Sequence, residues 1–224
     1  FDVNVAGTCF GAPGSYYGMK SFGVGSKNLH ARPVPHLEKY HGQNIFLTEA
    51  LTLEAKAEID KALNASKPFF LHMSHYAVHS PFQSDPRFAK NYQGKSPSLI
   101  AYATMIEGMD KSLGDLMDHI ETKGVAENTL IIFLGDNGGD APDKDLDGIS
   151  SCAPLRGRKG AKWEGGIRVP FIASWGKVNP ENAFNTETAI NRAKIMKLFV
   201  FISLDSRIER QSQKTTVHIV PGGV

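Results

Sequence analysis

Residues 130–139 read Leu-Ile-Ile-Phe-Leu-Gly-Asp-Asn-Gly-Gly, an apolar run that ends in a carboxylate, a carboxamide and two glycines. An apolar run without polar alternation is typical of a strand buried on both faces of a parallel sheet. In open α/β sheets, ligands and metals bind beyond the carboxyl ends of the strands. Asp136 and Asn137 supply the hard oxygen donors that calcium and magnesium prefer. The stretch therefore predicts a buried strand that ends in a metal site.

A plain hairpin turn is the alternative for this stretch, because Asn-Gly is a strong two-residue turn signal. A hairpin needs a second strand directly after the turn. Residues 140–151 are instead polar and Asp-rich, without apolar alternation. The sequence therefore favours the metal site over the turn.

The segments on either side predict alternating helices and strands. Helices are predicted from Thr48, as N-cap, to about Leu63 and from about Ser98 to Thr122, and further strands at 69–74 and 168–175. This order is typical of an α/β domain with a mainly parallel sheet flanked by helices. The methionines of the second helix fall at helical spacing and indicate core packing rather than a ligand cluster.

The bulk composition excludes several function classes. Lys and Arg total 25 against 23 Asp and Glu in 224 residues, so a net charge of +2 gives no general attraction to nucleic acid or membranes. No apolar run reaches membrane-spanning length. Two cysteines, Cys9 and Cys152, are too few for a disulfide scaffold. We expect neither a nucleic acid nor a membrane as partner.

A second group of polar residues follows the strand predicted at 69–74. Pro81 breaks the extended stretch, so His79 is expected in the loop, where it could protonate a leaving oxygen or contact an anion. A purely structural His79 is one alternative. A zinc site of His72, His75 and His79 is another, but on an extended strand His72 faces away from the other two.

The third group is the basic, glycine-rich segment Leu-Arg-Gly-Arg-Lys-Gly-Ala-Lys-Trp-Glu-Gly-Gly-Ile-Arg at 155–168. Glycines let the backbone come close to an anion while Lys or Arg neutralises it. A solvated basic loop is the alternative, and the single aromatic residue, Trp163, disfavours a nucleic-acid patch. The three groups together predict a site for a sulfuryl or phosphoryl ester, with metal and Lys on its oxygens and His at the departing alcohol.

At these residues the chain resembles the formylglycine-dependent sulfatases of the alkaline phosphatase superfamily. The resemblance rests on three motifs in family order, at 68–81, 135–139 and 155–170, and covers about residues 1–178. It implies part of an alkaline-phosphatase-like sulfatase domain. It also implies Ca²⁺ on Asp136 and Asn137, sulfate contact by Lys159, and contact of His79 with the sulfate or its leaving oxygen.

The same resemblance implies hydrolysis of sulfate esters, often on sugars, through a hydrated formylglycine made from Cys or Ser. A sulfated small molecule or glycan is the implied partner, and the implied location is periplasmic, extracellular or lysosomal. A phosphodiesterase or phosphonate hydrolase of the same superfamily is the alternative activity, and a non-catalytic remnant is the alternative class. The Gly/Tyr-rich segment 7–18 is a candidate lining of the substrate pocket.

The sequence departs from the family in three places. It contains no Asp-Asp metal pair, no Cys-x-Pro-Ser-Arg nucleophile segment and no Gly-Lys-Trp-His stretch, so we expect the isolated chain to be inactive and these groups to precede Phe1. Cys152 fits a loose Cys-x-Pro-x-Arg pattern, but it overlaps the lysine segment, and we expect an ordinary loop cysteine. Residues 179–224 form an atypical tail, for which a truncated or frame-shifted gene is the hypothesis.

Overall fold

The computed structural model describes residues 2–25, 32–139 and 152–176, together with the backbone of 198–203 and 215–219. These residues form one six-stranded sheet in the order β1-β6-β2-β5-β3-β4. Its strands are β1 (Val3–Asn4), β2 (Phe69–Ser74), β3 (Thr129–Leu134), β4 (Phe171–Trp175), β5 (Leu198–Ser203) and β6 (Thr215–Ile219). The helices are α1 (Leu47–Asn64), α2 (Pro97–Thr122) and the short α3 (Glu164–Ile167), with 3-10 turns at Gly18–Gly23, Glu38–Tyr40, Ala89–Tyr92 and Ala126–Asn128.

The α/β class is confirmed, but the prediction of a mainly parallel sheet is wrong. The pairs β1–β6 and β6–β2 are parallel, whereas β2–β5, β5–β3 and β3–β4 are antiparallel. An apolar run indicates which residues are buried, but it carries no information about the direction of the neighbouring strand. β4 runs back along β3, and β5 is inserted between β2 and β3, so the sheet is mixed.

The prediction that the strand at 130–134 is buried on both faces is also wrong. Along β2 and β3, buried residues alternate with half-buried ones. The buried face packs into one core with α1 and α2, through Phe69, Leu71, Met73, Ile131 and Phe133 of the strands. The other face carries apolar side chains that are only partly covered, and an unbroken apolar run does not reveal this difference.

Local signals explain where the long helices begin. Ser96 is the N-cap of α2, since its side chain accepts a hydrogen bond from Leu99 N at 3.3 Å, and Pro97 occupies the first helical position. The prediction of Thr48 as N-cap of α1 is wrong, because Thr48 lies within the first turn and Phe46 precedes the helix. Met105, Met109 and Met117 are buried in the core, as predicted. Within the described ranges, neither long helix has the apolar character that crossing a bilayer requires.

The carboxyl ends of β2 and β3 lie level with each other. Ser74, the last residue of β2, and Leu134, the last residue of β3, both pair with Leu198 of β5. Both strands are antiparallel to β5 and therefore run in the same direction. Because neighbouring strands are about 4.8 Å apart, roughly 10 Å separates the two ends. The loops that carry His79 and Asp136 therefore leave the same edge of the sheet.

Candidate functional site

Backbone contacts join the loop after β3 to the basic, glycine-rich segment. Lys159 N donates to Gly139 O at 3.0 Å, and Gly138 N donates to Gly166 O at 3.0 Å. Cys152 adds a third contact, because its sulfur accepts from Gly139 N at 3.2 Å. The structure therefore brings Lys159 to the loop 136–139 that carries the predicted metal ligands.

The glycines of these two segments allow their backbones to touch. A Cβ added to Gly138 would collide with the carbonyl of Gly165, and one added to Gly165 would collide with the carbonyl of Gly157. A Cβ on Gly166 would meet the carbonyl of Ala161 in the same way. For the glycines of 155–168 the sequence predicted a close approach of the backbone to an anion. Two of them, Gly165 and Gly166, let backbone approach backbone, as Gly138 does, and these contacts fix the segment that carries Lys159.

We expect Gly138→Ala to destabilise the protein, because the new methyl group forces the backbone of residues 138 or 165 to move. Overpacking of this kind costs about 1–3 kcal/mol. Gly114→Ala in α2 is the matched control, since a Cβ there has no heavy atom within 4 Å. Alanine in a helix is more stable than glycine by about 0.5–1 kcal/mol. Urea unfolding measures both changes, and equal effects of the two substitutions would contradict the close contact.

Asp136 and Asn137 offer donors of the right type for calcium. Asp136 is exposed and Asn137 is half-buried. The amide nitrogen of Asn137 donates to Gly138 O at 2.7 Å, so its Oδ1 is the atom that can bind a cation. Ca²⁺ takes 6–8 oxygen ligands, and the described residues contain no group of three or more His, Cys, Asp or Glu that could hold a metal. The pair fits calcium in chemistry but supplies only part of a coordination shell.

His79 lies half-buried in the turn after β2. Its Nδ1 is 3.1 Å from the backbone oxygen of Ser80 and 3.2 Å from the Ser80 hydroxyl. Nδ1 is thus used within its own loop, and Nε2 is the other nitrogen from which the ring could donate a proton. A protonated imidazole held in this way can donate from Nε2 to a leaving oxygen. Register places His79 at the same sheet edge as Asp136, and the interlocked glycine segments place Lys159 there as well.

The basic segment is not uniformly solvated. Arg156 and Arg158 are exposed, whereas Lys159 is half-buried. The Arg156 guanidinium lies over the Trp163 ring, 3.8 Å from its centroid, and Lys162 Nζ lies 5.5 Å from the same centroid. Among these four cations, only Lys159 combines partial burial with a backbone hydrogen bond to the loop 136–139.

His75, a member of the alternative zinc triad, belongs to a buried polar network. Its Nε2 is 3.1 Å from Ser112 Oγ, which is 2.6 Å from Thr52 Oγ1. Thr52 donates its only hydroxyl proton to Thr48 O at 2.7 Å. Ser112 must then donate to Thr52, and His75 Nε2–H must donate to Ser112. These contacts occupy Nε2, so a metal could bind His75 only through Nδ1, which is buried.

Burial lowers the pKa of His75 to about 3, so the folded protein holds this ring neutral. In the unfolded chain His75 takes up a proton near pH 6.5. Between pH 6.5 and 3 the unfolded state therefore binds more protons than the folded state. We expect the free energy of unfolding to decrease as the pH is lowered through this range, by at most about 1.4 kcal/mol per pH unit. Burial lowers the pKa of His72 too and adds to the slope.

Comparison of urea unfolding between pH 7 and 4 for the wild type and His75→Gln isolates this effect, because the contribution of His72 cancels. The glutamine variant should show the shallower loss of stability. Identical slopes would contradict a neutral His75 in the folded core.

The turn with His79 is supported by a residue that sequence reasoning missed. Tyr16, which is fully buried, places its hydroxyl 2.7 Å from Tyr76 O and 2.9 Å from His79 O. The segment 7–18 was predicted only as a candidate lining of the substrate pocket. No sequence spacing links Tyr16 to a partner 63 positions away. The one available signal was the pair of adjacent tyrosines in a glycine-rich stretch.

Comparison with known proteins gives consistent matches. The family model described as “Sulfatase” matches residues 18–202. A sulfatase of Formosa agariphila is 31% identical in an alignment of 158 residues that covers 65% of this chain and 28% of that protein. Human steryl-sulfatase is 35% identical over 135 residues, 59% of this chain and 22% of the relative. The N-acetylgalactosamine-6-O-sulfatase of Bacteroides thetaiotaomicron is 33% identical over 142 residues, 60% and 26% of the two chains.

The chain thus spans about a quarter of the length of these curated relatives. Among solved structures, the crystal structure of Ps i-CgsB in complex with k-i-k-neocarrahexaose matches with a TM-score of 0.49 and 25% sequence identity. That match covers 81% of this chain and 33% of the other.

Proposed function

Since this chain belongs to the sulfatase family, we propose that the intact protein hydrolyses sulfate esters at the sheet edge from which the loops after β2 and β3 both leave. One observation carries the location of the site. The backbone of Lys159 is tied to Gly139, in the loop that contains Asp136 and Asn137. This backbone contact supports a site in which Lys159 lies beside the loop that carries two hard oxygen donors, at the edge that His79 shares.

Each side chain has a role that follows from its charge or its hydrogen-bonding groups. The Lys159 ammonium neutralises the ester oxygens, whose negative charge is redistributed in the transition state. His79 in its protonated form donates from Nε2 to the departing alcohol oxygen, while Nδ1 remains bound at Ser80. The oxygens of Asp136 and Asn137 would hold Ca²⁺, which would supply Lewis-acid stabilisation of the sulfate oxygens.

We propose that the nucleophile of the intact protein is a formylglycine. The Cys-x-Pro-Ser-Arg segment from which it is made does not occur in these 224 residues. We therefore expect the isolated chain to show no turnover of an aryl sulfate, and measurable turnover would contradict that expectation. We further propose that the mixed sheet and its helices are part of an alkaline-phosphatase-like domain in a periplasmic, extracellular or lysosomal protein.

We propose a sulfated sugar as the substrate class. The support is the similarity to an N-acetylgalactosamine-6-O-sulfatase, at 33% identity over 142 residues. The similarity to steryl-sulfatase makes a sulfated sterol the natural comparison substrate. The two classes differ in polarity, so one assay with both discriminates between them.

The test is hydrolysis by the intact protein of matched sulfate and phosphate esters of 4-nitrophenol, followed by 6-sulfated N-acetylgalactosamine and a steryl sulfate. We expect the sulfate ester to be cleaved in preference to the phosphate, and the sugar sulfate in preference to the sterol. A preference for phosphate mono- or diesters would indicate the alternative activity of the superfamily. No cleavage of any ester would support a non-catalytic remnant.

A further inference from the structure

The Tyr16 hydroxyl closes the turn that carries His79. It lies 2.7 Å from Tyr76 O and 2.9 Å from His79 O, so one phenol spans the first and last carbonyls of the four-residue turn 76–79. The phenol is fully buried. Burial raises the pKa of Tyr16 well above its ordinary value, so the hydroxyl keeps its proton and remains a donor.

Tyr16 is itself held on three sides. Its backbone oxygen accepts from Leu47 N at the start of α1, at 2.8 Å. Its backbone nitrogen donates to Gln83 Oε1 at 2.6 Å. Its ring stacks on Phe46, with centroids 5.4 Å apart and planes at 15°. Because both its backbone and its ring are held, the Tyr16 hydroxyl can move little. The position of the turn therefore depends on the position of α1.

Further hydrogen bonds join the N-terminal segment that contains Tyr16 to the loop that carries His79. Tyr76 OH donates to Ala6 O at 2.8 Å, before the His79 turn is complete. Beyond the turn, Tyr17 OH donates to Ser84 O at 2.9 Å. The His79 loop is thus bonded to the N-terminal segment both before and after the histidine.

We propose that Tyr16 is a positioning residue for His79. Its hydroxyl fixes the position of the backbone of the turn 76–79. It thereby fixes the position of the imidazole Nε2 relative to the ester that is bound by Lys159 and the 136–139 loop. This inference rests on the proposed function for its catalytic consequence. A displacement of about 1 Å in a reacting group can cost about 100-fold in rate, so a hydroxyl that sets such a position affects catalysis without touching substrate.

The test in the intact protein is Tyr16→Phe, which removes the hydroxyl and keeps the ring. We expect kcat on a sugar sulfate to fall about 10- to 100-fold, with KM changed less than about twofold, because Lys159 and the metal ligands still bind the ester. Tyr40→Phe is the matched control. It removes another buried tyrosine hydroxyl bond, 2.5 Å to Glu54 Oε1, outside the His79 loop. This control should lose stability but keep kcat.

A kcat retained by Tyr16→Phe, or lost equally in Tyr40→Phe, would overturn the assignment. If Tyr16→Phe fails to fold, Gln83→Ala replaces it, since this variant removes the acceptor of Tyr16 N from a half-buried position. A smaller fall in kcat at constant KM is then expected. An unchanged kcat in a folded Gln83→Ala variant would count against the proposal.

A readout without catalysis separates this proposal from the proposed function. In protein labelled with ¹⁵N-histidine, the ring signals of His79 are assigned by their loss in His79→Gln. Tyr16→Phe should shift or broaden these signals, whereas Tyr40→Phe should leave them in place. If the wild type cleaves no sulfate ester but only Tyr16→Phe shifts the His79 signals, the proposed role of Tyr16 is supported and the proposed function is refuted. Unmoved signals in Tyr16→Phe would refute the positioning itself.

Discussion

Replacement of His79 with glutamine should lower kcat of the intact protein on a sugar sulfate by about 10²- to 10⁴-fold, the usual contribution of general acid catalysis. Glutamine keeps a polar side chain in the loop, but it cannot deliver a proton to the departing alkoxide. The loss should depend on the leaving group. It should be large for a sugar alcohol and small for 4-nitrophenol, which departs without protonation. Steady-state kinetics with the two sulfate esters measures this difference.

His119→Gln is the matched control for this substitution. His119 Nε2 lies 2.9 Å from Asp60 Oδ1, in a hydrogen bond between the two long helices, and Asp60 keeps its contact with Lys123 at 2.8 Å. The control should therefore leave kcat unchanged for both esters. An equal loss for sugar and nitrophenyl sulfates in His79→Gln would argue that His79 contacts the sulfate and does not protonate the leaving oxygen.

Lys159→Met should lower kcat/KM by about 10²- to 10³-fold, the magnitude found when one stabilising group is removed from a developing anion. Methionine matches the length of the lysine stem and preserves the backbone bond to Gly139. The change therefore removes the charge and leaves the loop in place. Lys162→Met is the control in the same segment, because the Lys162 ammonium lies against the Trp163 ring.

The control should retain kcat/KM within about twofold, since Lys162 is exposed and the contribution of an exposed charge is screened by solvent. Comparable losses at the two lysines would mean that the whole segment attracts the anion, as a solvated basic loop would. A loss confined to Lys159 would show that partial burial beside the loop 136–139 sets its role.

Local patterns in the sequence predicted much of the framework. The apolar run before Asp136 became β3, the run from Phe69 became β2 at its predicted bounds, and Ser96-Pro97 explains a helix start within two residues of the prediction. These features depend on neighbours along the chain, so composition and periodicity reveal them. Strand direction does not depend on these neighbours. It is set by pairing with β5, which lies between β2 and β3 but begins more than sixty residues after β3 ends.

The same distinction applies to the candidate site. The sequence singled out Asp136, Asn137, His79 and Lys159 because charge and hydrogen-bonding capacity are properties of single residues. It did not reveal that Gly138 and Gly165 touch, or that Tyr16 holds the His79 turn. Those contacts join segments 27 and 63 positions apart, and only the packed chain brings them together.

The central claim is that these loops form one site for a sulfate ester, and a crystal structure of the intact protein with Ca²⁺ and sulfate tests it most directly. We predict a calcium ion about 2.3–2.6 Å from oxygens of Asp136 and Asn137. The sulfate should lie within hydrogen-bonding distance of Lys159 Nζ and His79 Nε2. Calcium and sulfate bound at full occupancy elsewhere, with neither ion at these four side chains, would contradict the account.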